Sequence, residues 1–451
     1  MAATQPKPRV IVLTDIGGDP DDKQSLVRLL LYANDMDIEG LYATAHKRGN
    51  SPEEIRKRVK AYGQVLDHLR IHDPSYPDAA VLEKIIHAGA TERTMKSVGS
   101  GKSTAASRAL IEVVDRNDPR PVWVSVWGAP TDLAQALWDV KESRTAVETR
   151  QFADKLRVYG IAGQDATGAW IAHEFPQILY LRSVLQFQAI SERISIPFPR
   201  EVAGPHSEFF DESWIAENVQ SHGPLGALYP PRKHKYEGDS PAFLHLIPNG
   251  LSDPERVHQG NWGGRFNAWK TVNPSAFRRF YSKAQAPFEP FSMHTEAADT
   301  WSYQGEDFVH STTAALFRWR EPTQNDFAAR MDWSITSEFE AANHPPIAVI
   351  GGDQSNQVIY KSVLRGETME LNASRSSDPD GDTLSFRWWF YPEPGSSTRS
   401  LPIKDSHQPL ARVKIPEVFS DETYHIILEV TDNGKPALTR YRRVVVKAGY
   451  E

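Results

Sequence analysis

Short apolar runs alternate with segments of helical periodicity along the first half of the chain. The run RVIVLT at 9–14 is β-branched and ends in an acidic, Gly-rich loop, after which apolar positions recur at helical spacing over 24–32. Further strands are predicted at 38–45, 121–127, 156–161 and 177–180, and further helices at 51–69 and 132–140. This order predicts βαβ units and an α/β domain with a Rossmann-like, mostly parallel sheet, whose ligands bind at the carboxyl ends of its strands.

The pattern changes twice further along the chain. Residues 197–298 are rich in Gly, Pro, Asn and Trp, which predicts long functional loops, and a last helix is predicted over 325–339. After the break NHPP at 343–346, apolar and polar positions alternate in short runs, at 347–350, 368–371, 384–390, 424–430 and 440–446. We therefore predict an α/β domain over 1–342 and a small all-β, Ig-like sandwich over 343–451. We expect an interface between the two domains, but not an obligatory one.

The composition limits the kinds of partner and of metal ligand that we expect for this chain. The chain of 451 residues has a net charge of -7 and no dense Lys/Arg block, so nucleic acid is not an expected partner. No apolar run approaches the roughly 20 residues that span a bilayer, so no membrane anchor is expected. Because there is no cysteine, any metal must be held by oxygen or histidine ligands. We expect a secreted protein without its signal peptide, with a cytoplasmic protein as the alternative, and a homo-oligomer is left open.

Four carboxylates follow the first predicted strand within eight residues. The segment TDIGGDPDD contains Asp15, Asp19, Asp21 and Asp22, and like charges at this spacing repel one another. A divalent cation that prefers oxygen would remove the repulsion, and the neighbouring glycines would let the backbone bend around it. The alternative is a solvated acidic turn. We favour a metal site, because a strand precedes the cluster and a helix follows it.

These residues resemble the inosine-uridine nucleoside hydrolase superfamily, whose first strand ends in an aspartate, a short Gly turn and an Asp-Asp pair. Over 9–451 the chain also resembles a nucleoside hydrolase-like family with a C-terminal Ig-like domain, often described as cellulose-binding proteins. The segments that carry this second resemblance are DIGGDPDDKQSLVRLL, HGPLGALYP, PNGLSDPE, WGGRF and DFAARMDW. The resemblance implies the nucleoside hydrolase fold for the first domain.

The superfamily resemblance also implies a calcium site. Asp15, Asp21 and Asp22 would hold Ca2+, with the backbone carbonyl of Thr131 in GAPTDLAQAL as a further ligand. Two more residues stand between Asp15 and the Asp-Asp pair than in the superfamily pattern, so Asp19 is an alternative ligand. The cofactor we expect is therefore Ca2+.

Two segments compete for the superfamily's distal metal ligand, which lies in a His-Asp pair that opens a late helix. His222, followed by glycine, keeps the histidine, whereas Asp239 in GDSPAFLHL keeps the carboxylate. We assign Asp239 to the metal because it precedes a plausible helix. Asn50, in a Gly-Asn pair after the second strand, matches a residue that touches the sugar.

The superfamily's Asn- and Glu-bearing ribose loop has no counterpart after LRVYGI, where this chain reads AGQDATGAW. A pocket that loses its hydrogen bonds to one sugar loses discrimination for that sugar, so another furanoside is as credible a substrate. Asp165 and Trp170 in this loop are candidates to bind and stack on a sugar, against a capping aspartate and a core tryptophan. Trp262, next to two glycines, is a further candidate. His222 could protonate a leaving group or be a structural histidine.

Two functions of different classes are consistent with these residues. The first is a calcium-dependent glycoside hydrolase: the metal polarises a water, Asp15 takes its proton, and a furanosidic N- or O-glycosidic bond is cleaved. The second is a non-catalytic or weakly catalytic carbohydrate-binding protein, for cellulose or another plant polysaccharide, on the same fold. The expected partner in both cases is a small-molecule glycoside or a carbohydrate. The loop SDPDGD at 377–382 could bind a second calcium ion or be a turn stabilised by Asx bonds.

Overall fold

The structure, a computed structural model, describes residues 6–46, 49–191, 205–231, 236–267, 270–271, 288, 292–397, 399–417 and 421–449. The loops predicted over 197–298 therefore lie partly outside the described residues. The described chain forms a large α/β domain followed by two smaller β-sheets. None of its helices is both long and apolar enough to cross a membrane.

One eight-stranded sheet organises the α/β domain. Its strands are β1 (Arg9–Thr14), β2 (Asp37–Ala43), β3 (Ile86–Ala88), β4 (Val122–Val126), β5 (Leu156–Ile161), β6 (Leu179–Ser183), β7 (Lys270–Thr271) and β8 (Ser292–Thr295). They lie in the order β3-β2-β1-β4-β5-β6-β8-β7, all parallel except β7, which pairs antiparallel with β8 at the edge. The predicted α/β class and mostly parallel sheet are confirmed. In the sheet, β2 and β4 lie on either side of β1, so the strand order reverses at β1. The loops after β1 and β4 therefore border one crevice.

Helices cover both faces of this sheet. They are α1 (Asp21–Leu31), α2 (Pro52–His72), α3 (Ala79–Lys84), α4 (Ala105–Asp115), α5 (Thr131–Ser143), α6 (Ala146–Asp154), α7 (Ala166–Glu174), α8 (Glu212–Ile215), α9 (Gly223–Gly226), α10 (Pro241–Leu244), α11 (Ala314–Phe317) and α12 (Arg320–Trp333). All six residues of β1 are buried: Val10 and Val12 join one apolar core, and Ile11 and Leu13 join the other. Burial on both faces explains why the strand is apolar throughout instead of alternating.

The structure corrects the predicted bounds of the last helix of the α/β domain. The last helix of the domain was predicted over 325–339, but α12 begins at Arg320 and ends at Trp333. Pro322 lies in the first helical turn, where its missing N–H and its fixed φ are tolerated. A two-stranded antiparallel ribbon, β9 (Asp299–Tyr303) and β10 (Glu306–Ser311), precedes the helices α11 and α12.

The C-terminal region consists of two packed β-sheets, as the sandwich prediction requires. Its strands are β11 (Ile359–Leu364), β12 (Thr368–Asn372), β13 (Ser385–Tyr391), β14 (Ile403–Lys404), β15 (Leu410–Lys414), β16 (Glu422–Thr431) and β17 (Thr439–Gly449), arranged as β11-β17-β16-β13 and β12-β15-β14. The strand predicted at 347–350 is not a strand, because Ile347 and Ile350 make only isolated bridges. The edge strand is β11, which the pattern missed because nearly all of its residues are exposed or half-buried.

The two regions share a buried aromatic interface. Tyr441 of β17 is 1% exposed and contacts the rings of Trp262 and Trp319, with centroids 6.3 and 5.6 Å away. The buried Arg443 donates to the carbonyls of Leu251 and Gly260 at 2.5 and 3.0 Å. Residues of both regions therefore belong to one apolar core, and the interface is more extensive than the sequence led us to expect.

Candidate metal centre

The first acidic loop turns sharply between β1 and α1. Thr14, the last residue of β1, donates its hydroxyl to Asp22 Oδ1 at 2.5 Å and accepts from the amide of Ile16 at 3.1 Å. Gly17 has a φ of +112°, and a Cβ there would lie 2.8 Å from His46 Nε2, so the turn requires glycine. Asp21 and Asp22 then open α1, where the helix N-terminus favours negative charge.

A second loop brings Asp239 to the same place. Glu237, which is fully buried, pairs with Arg28 of α1 at 3.1 Å and accepts hydrogen bonds from Tyr229 and Ser240 at 2.7 and 2.9 Å. Its amide also donates to Gln24 Oε1 of α1 at 2.9 Å. These contacts tie the loop to α1 immediately before the short helix α10.

Three carboxylates consequently converge at the carboxyl edge of the sheet. One carboxylate oxygen from each of Asp21, Asp22 and Asp239 lies within 4.8 Å of the others. They border a cavity of about 470 Å³, whose other described lining residues are Asp15, Gly17, Gly18, Asp19, His46, Arg93, Trp127, Ile161, Ala162, Gln164 and Phe187. An all-oxygen donor set of this kind suits a hard divalent cation such as Ca2+.

Asp15 lies beside the three carboxylates but is engaged by an arginine. Its Oδ2 pairs with the Arg93 guanidinium. Gly128 lies close to its other oxygen, because a Cβ on Gly128 would be 2.7 Å from Asp15 Oδ1. Burial raises the pKa of Asp15 to about 6, against the opposing effect of Arg93 and with a further increase from the Asp21 carboxylate. The carboxyl group is therefore mostly ionised at neutral pH.

Asp22 is buried among like charges. Burial raises its pKa well above the ordinary value, and the carboxylates of Asp15 and Asp21 raise it further, while the Thr14 hydroxyl opposes the shift. Two adjacent acids with raised pKa values are typical of functional sites, where a bound cation would relieve both desolvation and repulsion. The donor chemistry and the electrostatics of this cavity fit a divalent cation.

Arg93 is held in the cavity by several polar contacts. Its Nε donates to the carbonyl of Ala45 at 2.9 Å, and one terminal nitrogen donates to Gln164 Oε1 at 2.7 Å. Gln164 in turn donates to the carbonyl of Trp127 at 2.7 Å. The guanidinium is thus a fixed positive charge at the end of three neighbouring strands.

The sequence analysis did not identify Arg93, His46, Gln164, Trp127 or Phe187 as site residues. The strand-end rule could have found three of them, because His46, Trp127 and Gln164 each follow one of the strands β2, β4 and β5 within three residues. Arg93 and Phe187 carry no such signal. Arg93 lies in an irregular segment after β3, and Phe187 lies in a 3₁₀ turn after β6.

Thr131 and Asn50, predicted to bind metal and sugar, lie near the crevice but do not line the cavity as described. Thr131 is the buried first residue of α5, and its hydroxyl donates to Asp165 at 3.3 Å. The Asn50 amide donates to the carbonyls of Gly89 and Ala90 at 2.7 and 3.4 Å. Both side chains therefore hold loops together in this structure.

His222 and Asp165 occupy structural positions. His222 precedes α9, and its Nε2 lies 2.9 Å from Asp332 Oδ1 of α12; neither residue lines the acidic cavity. Asp165 caps α7 by accepting from the amide of Thr167 at 2.9 Å, and it also accepts from the amide of Thr94 at 2.8 Å. Of the two competing distal ligands, Asp239 meets the aspartate cluster and His222 does not.

The two tryptophans proposed to stack on a sugar are in apolar cores. Trp170 packs edge-on against Phe175, with centroids 5.7 Å apart, in the core on one face of the sheet. Trp262 is 1% exposed and packs against Tyr441 at the domain interface. The structure does not bring either ring to the acidic cavity. Trp127 and Phe187 border that cavity, but they are also buried, at 0% and 3% exposed.

The loop at 377–382 lies far along the chain from this centre, in the β-sandwich. Asp378 accepts from the amides of Asp380 and Asp382 at 2.9 and 3.1 Å, which is the Asx-turn arrangement. Asp380 accepts from the His344 amide at 2.7 Å and so ties the segment between the domains to the sandwich. These contacts agree with the turn alternative for the loop.

The chain is similar to several proteins of known structure. A nucleoside hydrolase-related protein from Saccharophagus degradans, described as associated with carbohydrate metabolism, is 38% identical and has a TM-score of 0.85; the match covers 98% of this chain and 100% of that chain. Two effector proteins, XOO4466 and XopQ complexed with adenosine diphosphate ribose, are each 12% identical, with TM-scores of 0.33 and 0.34; each match covers 74% of this chain and 95% of that chain. No curated protein matches the chain.

Two family descriptions cover most of the sequence. Residues 9–266 match the family described as "Cellulose-binding Sde182, nucleoside hydrolase-like domain". Residues 368–448 match the family described as "Cellulose-binding protein Sde0182, C-terminal domain". Together with the full-length similarity to the Saccharophagus degradans protein, these matches place the acidic cavity within the first family and the β-sandwich within the second. The chain therefore belongs to the Sde182 family, in which a nucleoside hydrolase-like domain precedes a characteristic C-terminal domain.

Proposed function

We propose that the protein is a metal-dependent glycoside hydrolase that cleaves a furanosidic N- or O-glycosidic bond. The observation that carries this proposal is the convergence of Asp21, Asp22 and Asp239 within 4.8 Å, in the cavity that Asp15 also lines. A bare surface turn would not require a carboxylate from a loop more than two hundred residues away. The nucleoside hydrolase-like family to which the domain belongs is consistent with this chemistry.

Asp21, Asp22 and Asp239 would hold Ca2+, with Asp15 as a further ligand. Bound calcium supplies positive charge that acidifies a water and so generates a nucleophile near neutral pH. Asp15, with a pKa of about 6, would accept the proton from that water. The Arg93 guanidinium must release Asp15 for this step, and the arginine would then be free to bind a sugar hydroxyl.

The cavity wall supports a sugar rather than a long apolar ligand. Gln164, Arg93 and His46 provide hydrogen-bonding groups, whereas Trp127 and Phe187 border the cavity as buried core residues. Several directional hydrogen-bonding groups around one cavity suit a ligand rich in hydroxyls, such as a sugar. Leaving-group protonation by His222 is not part of this proposal, because His222 does not line the cavity and pairs with Asp332.

Calcium titration calorimetry on the full chain tests the metal site first. We expect stoichiometric binding to the wild type and a loss of at least tenfold in affinity for Asp239→Asn, because one of three convergent charges is removed. The matched control is Asp115→Asn: Asp115 is on the surface of α4 and pairs with Arg144 at 2.6 Å. Full calcium affinity in Asp239→Asn would contradict the assignment.

Turnover then tests the hydrolytic step. Wild-type protein should release the aglycone from at least one member of a panel of aryl furanosides and nucleosides, and a calcium chelator should abolish the release. Asp15→Asn should remove activity while calcium binding weakens only in part. Binding of calcium without turnover on the whole panel would favour the second candidate function.

That second candidate is carbohydrate binding without efficient catalysis. The observation in its favour is the ion pair between Arg93 and Asp15, which occupies the carboxylate that a hydrolase would use as base. Both family descriptions are of cellulose-binding proteins. If the ion pair suppresses catalysis, Arg93→Met should bind the same glycan and gain turnover, whereas a hydrolase that uses Arg93 for its substrate should lose turnover.

A further inference from the structure

A second cavity lies between the α/β domain and the β-sandwich. Its volume is about 450 Å³, within the range of about 300–1,000 Å³ that small-molecule sites occupy. Trp301 and Tyr303 of β9 line one side, Trp389 of β13 and Glu429 of β16 line the other, and Trp319 lies between them. This cavity shares none of its described lining residues with the acidic cavity.

Aromatic rings dominate the surface of this cavity. Trp301 and Tyr303 are half-buried, and their rings are stacked with centroids 5.5 Å apart and an interplanar angle of 25°. Trp389, across the cavity, is also half-buried, and its centroid lies 6.1 Å from that of the buried Trp319. Rings left partly open to solvent on both sides of a cavity offer flat apolar faces to a ligand.

Charged groups surround these rings in balanced number. The cavity is lined by two arginines, Arg318 and Arg387, and by two glutamates, Glu321 and Glu429. Glu429 accepts from Trp389 Nε1 at 3.0 Å and from Arg387 at 3.2 Å, so its carboxylate is held in a fixed orientation. Paired opposite charges present many hydrogen-bonding atoms without a net field, which favours a neutral polyhydroxylated ligand over an anion or a cation.

Two polar atoms in the wall retain unused hydrogen-bonding capacity. The indole Nε1 of Trp319 and the Nε of Arg318 are buried and have no hydrogen-bond partner among the described residues. Trp319 is 2% exposed, and both residues line the cavity. These two donors are closed off from the cavity, so the inference about a ligand rests on the aromatic faces and on the charged groups around them.

We propose that this interdomain cavity binds a segment of a neutral glycan, with pyranose faces stacked on Trp301 and Trp389 and hydroxyls bonded by Arg387 and Glu429. The combination of aromatic faces with fixed planar donors and acceptors matches a sugar ring, which has an apolar face and a rim of hydroxyls. The site goes beyond the proposed hydrolysis and does not use the metal. It gives the junction between the domains a role in binding.

The test measures binding of the soluble β-1,4-glucan oligomer cellohexaose to the full chain by calorimetry, in the presence of a calcium chelator. Trp301→Ala should weaken binding about tenfold or more, which corresponds to about 1.4 kcal/mol, because the flat face on which a pyranose would stack is removed. Arg387→Ala should also weaken binding; Arg387 has a side chain that is 59% exposed, so its loss leaves the fold intact. Circular dichroism checks both variants.

The controls separate this proposal from the hydrolytic one. Trp138→Ala removes a partly buried tryptophan on α5, away from the cavity, and should leave the affinity unchanged. Asp22→Asn should abolish calcium binding but leave the affinity for the glucan unchanged. The proposal is overturned if the wild type does not bind cellohexaose, if both Trp301→Ala and Arg387→Ala bind it as the wild type does, or if a charged uronate oligomer binds more tightly than the neutral one.

Discussion

The aromatic contact between the domains allows a specific prediction about stability. Tyr441 is 1% exposed, and its ring meets those of Trp262 and Trp319 edge-on, at interplanar angles of 86° in both pairs. Its backbone amide donates to the carbonyl of Asn249 at 3.0 Å, so a substitution there keeps the backbone in place while it empties the ring position. We therefore expect Tyr441→Ala to act through lost packing.

The magnitude follows from the burial of this side chain. Replacing a fully buried aromatic residue by alanine costs about 3–5 kcal/mol, from lost transfer free energy and from the cavity that remains. Each edge-to-face pair contributes about 0.5–1.5 kcal/mol, and Tyr441 makes two such pairs. We expect the free energy of unfolding to fall by about 4 kcal/mol.

Urea unfolding followed by tryptophan fluorescence measures this change, because Trp262 and Trp319 report directly on the interface. The matched control is Tyr360→Ala in the same sandwich: Tyr360 is 59% exposed, and its hydroxyl accepts one hydrogen bond from Gln259 at 3.1 Å. Tyr360→Ala should lower the free energy of unfolding by less than about 1 kcal/mol. Equal losses of stability in the two variants would refute the reasoning, because the buried rings would then contribute nothing beyond an exposed one.

Three further predictions concern the whole chain and its pH range. Deletion of residues 345–451 should yield an aggregating α/β domain by size-exclusion chromatography, because the buried surface around Trp262 becomes exposed; a stable monomer would restore the view of separable domains. Gly128→Ala should displace the Asp15 carboxylate, since the new Cβ would lie 2.7 Å from Oδ1, and should weaken calcium binding in calorimetry, whereas Gly449→Ala, with open space around its Cβ position, should not. His245 is fully buried, and burial lowers its pKa to about 4. Below pH 6.5 this histidine binds a proton in the unfolded chain but not in the folded one, until the pH approaches 4. Its contribution to stability is therefore complete above pH 6.5, and the free energy of unfolding falls by about 2 kcal/mol between pH 6.5 and pH 5. Urea unfolding at pH 7.5 and pH 5 should show this loss in the wild type and a smaller one in His245→Gln; equal losses would exclude His245 as the cause.

The local patterns of the sequence were sufficient for five strands of the large sheet, β1, β2, β4, β5 and β6, but not for β3, β7 and β8. The strand predicted at 156–161 has those bounds in the structure, because its residues are buried on both faces apart from the half-buried Arg157. The edge strand β11 was missed, since its exposed residues need not alternate. Periodicity reports burial, so elements that are not buried leave no signal in it.

The residues of the candidate site also differ in whether the sequence alone indicates them. The aspartates after β1 were visible because charge repulsion and a strand end are local facts, and Asp239 was proposed from the superfamily resemblance, by its position before a plausible helix. The structure brings Asp21, Asp22 and Asp239 together, and the metal they would bind is a prediction. Arg93 was not found, because its contacts with Asp15 and Gln164 join residues 78 and 71 positions away.

The sequence by itself determined the α/β class, the sandwich that follows it and the loop on which the acidic cluster lies, because each depends on neighbours along the chain. Only the tertiary structure decided which side chains share a cavity. Trp170 and Trp262 were candidates to stack on a sugar but pack into cores, whereas Arg93 and Gln164, which the sequence did not indicate, line the cavity. The physical reason is that burial and orientation of a side chain depend on elements packed against it from distant positions, and a single sequence does not display those contacts.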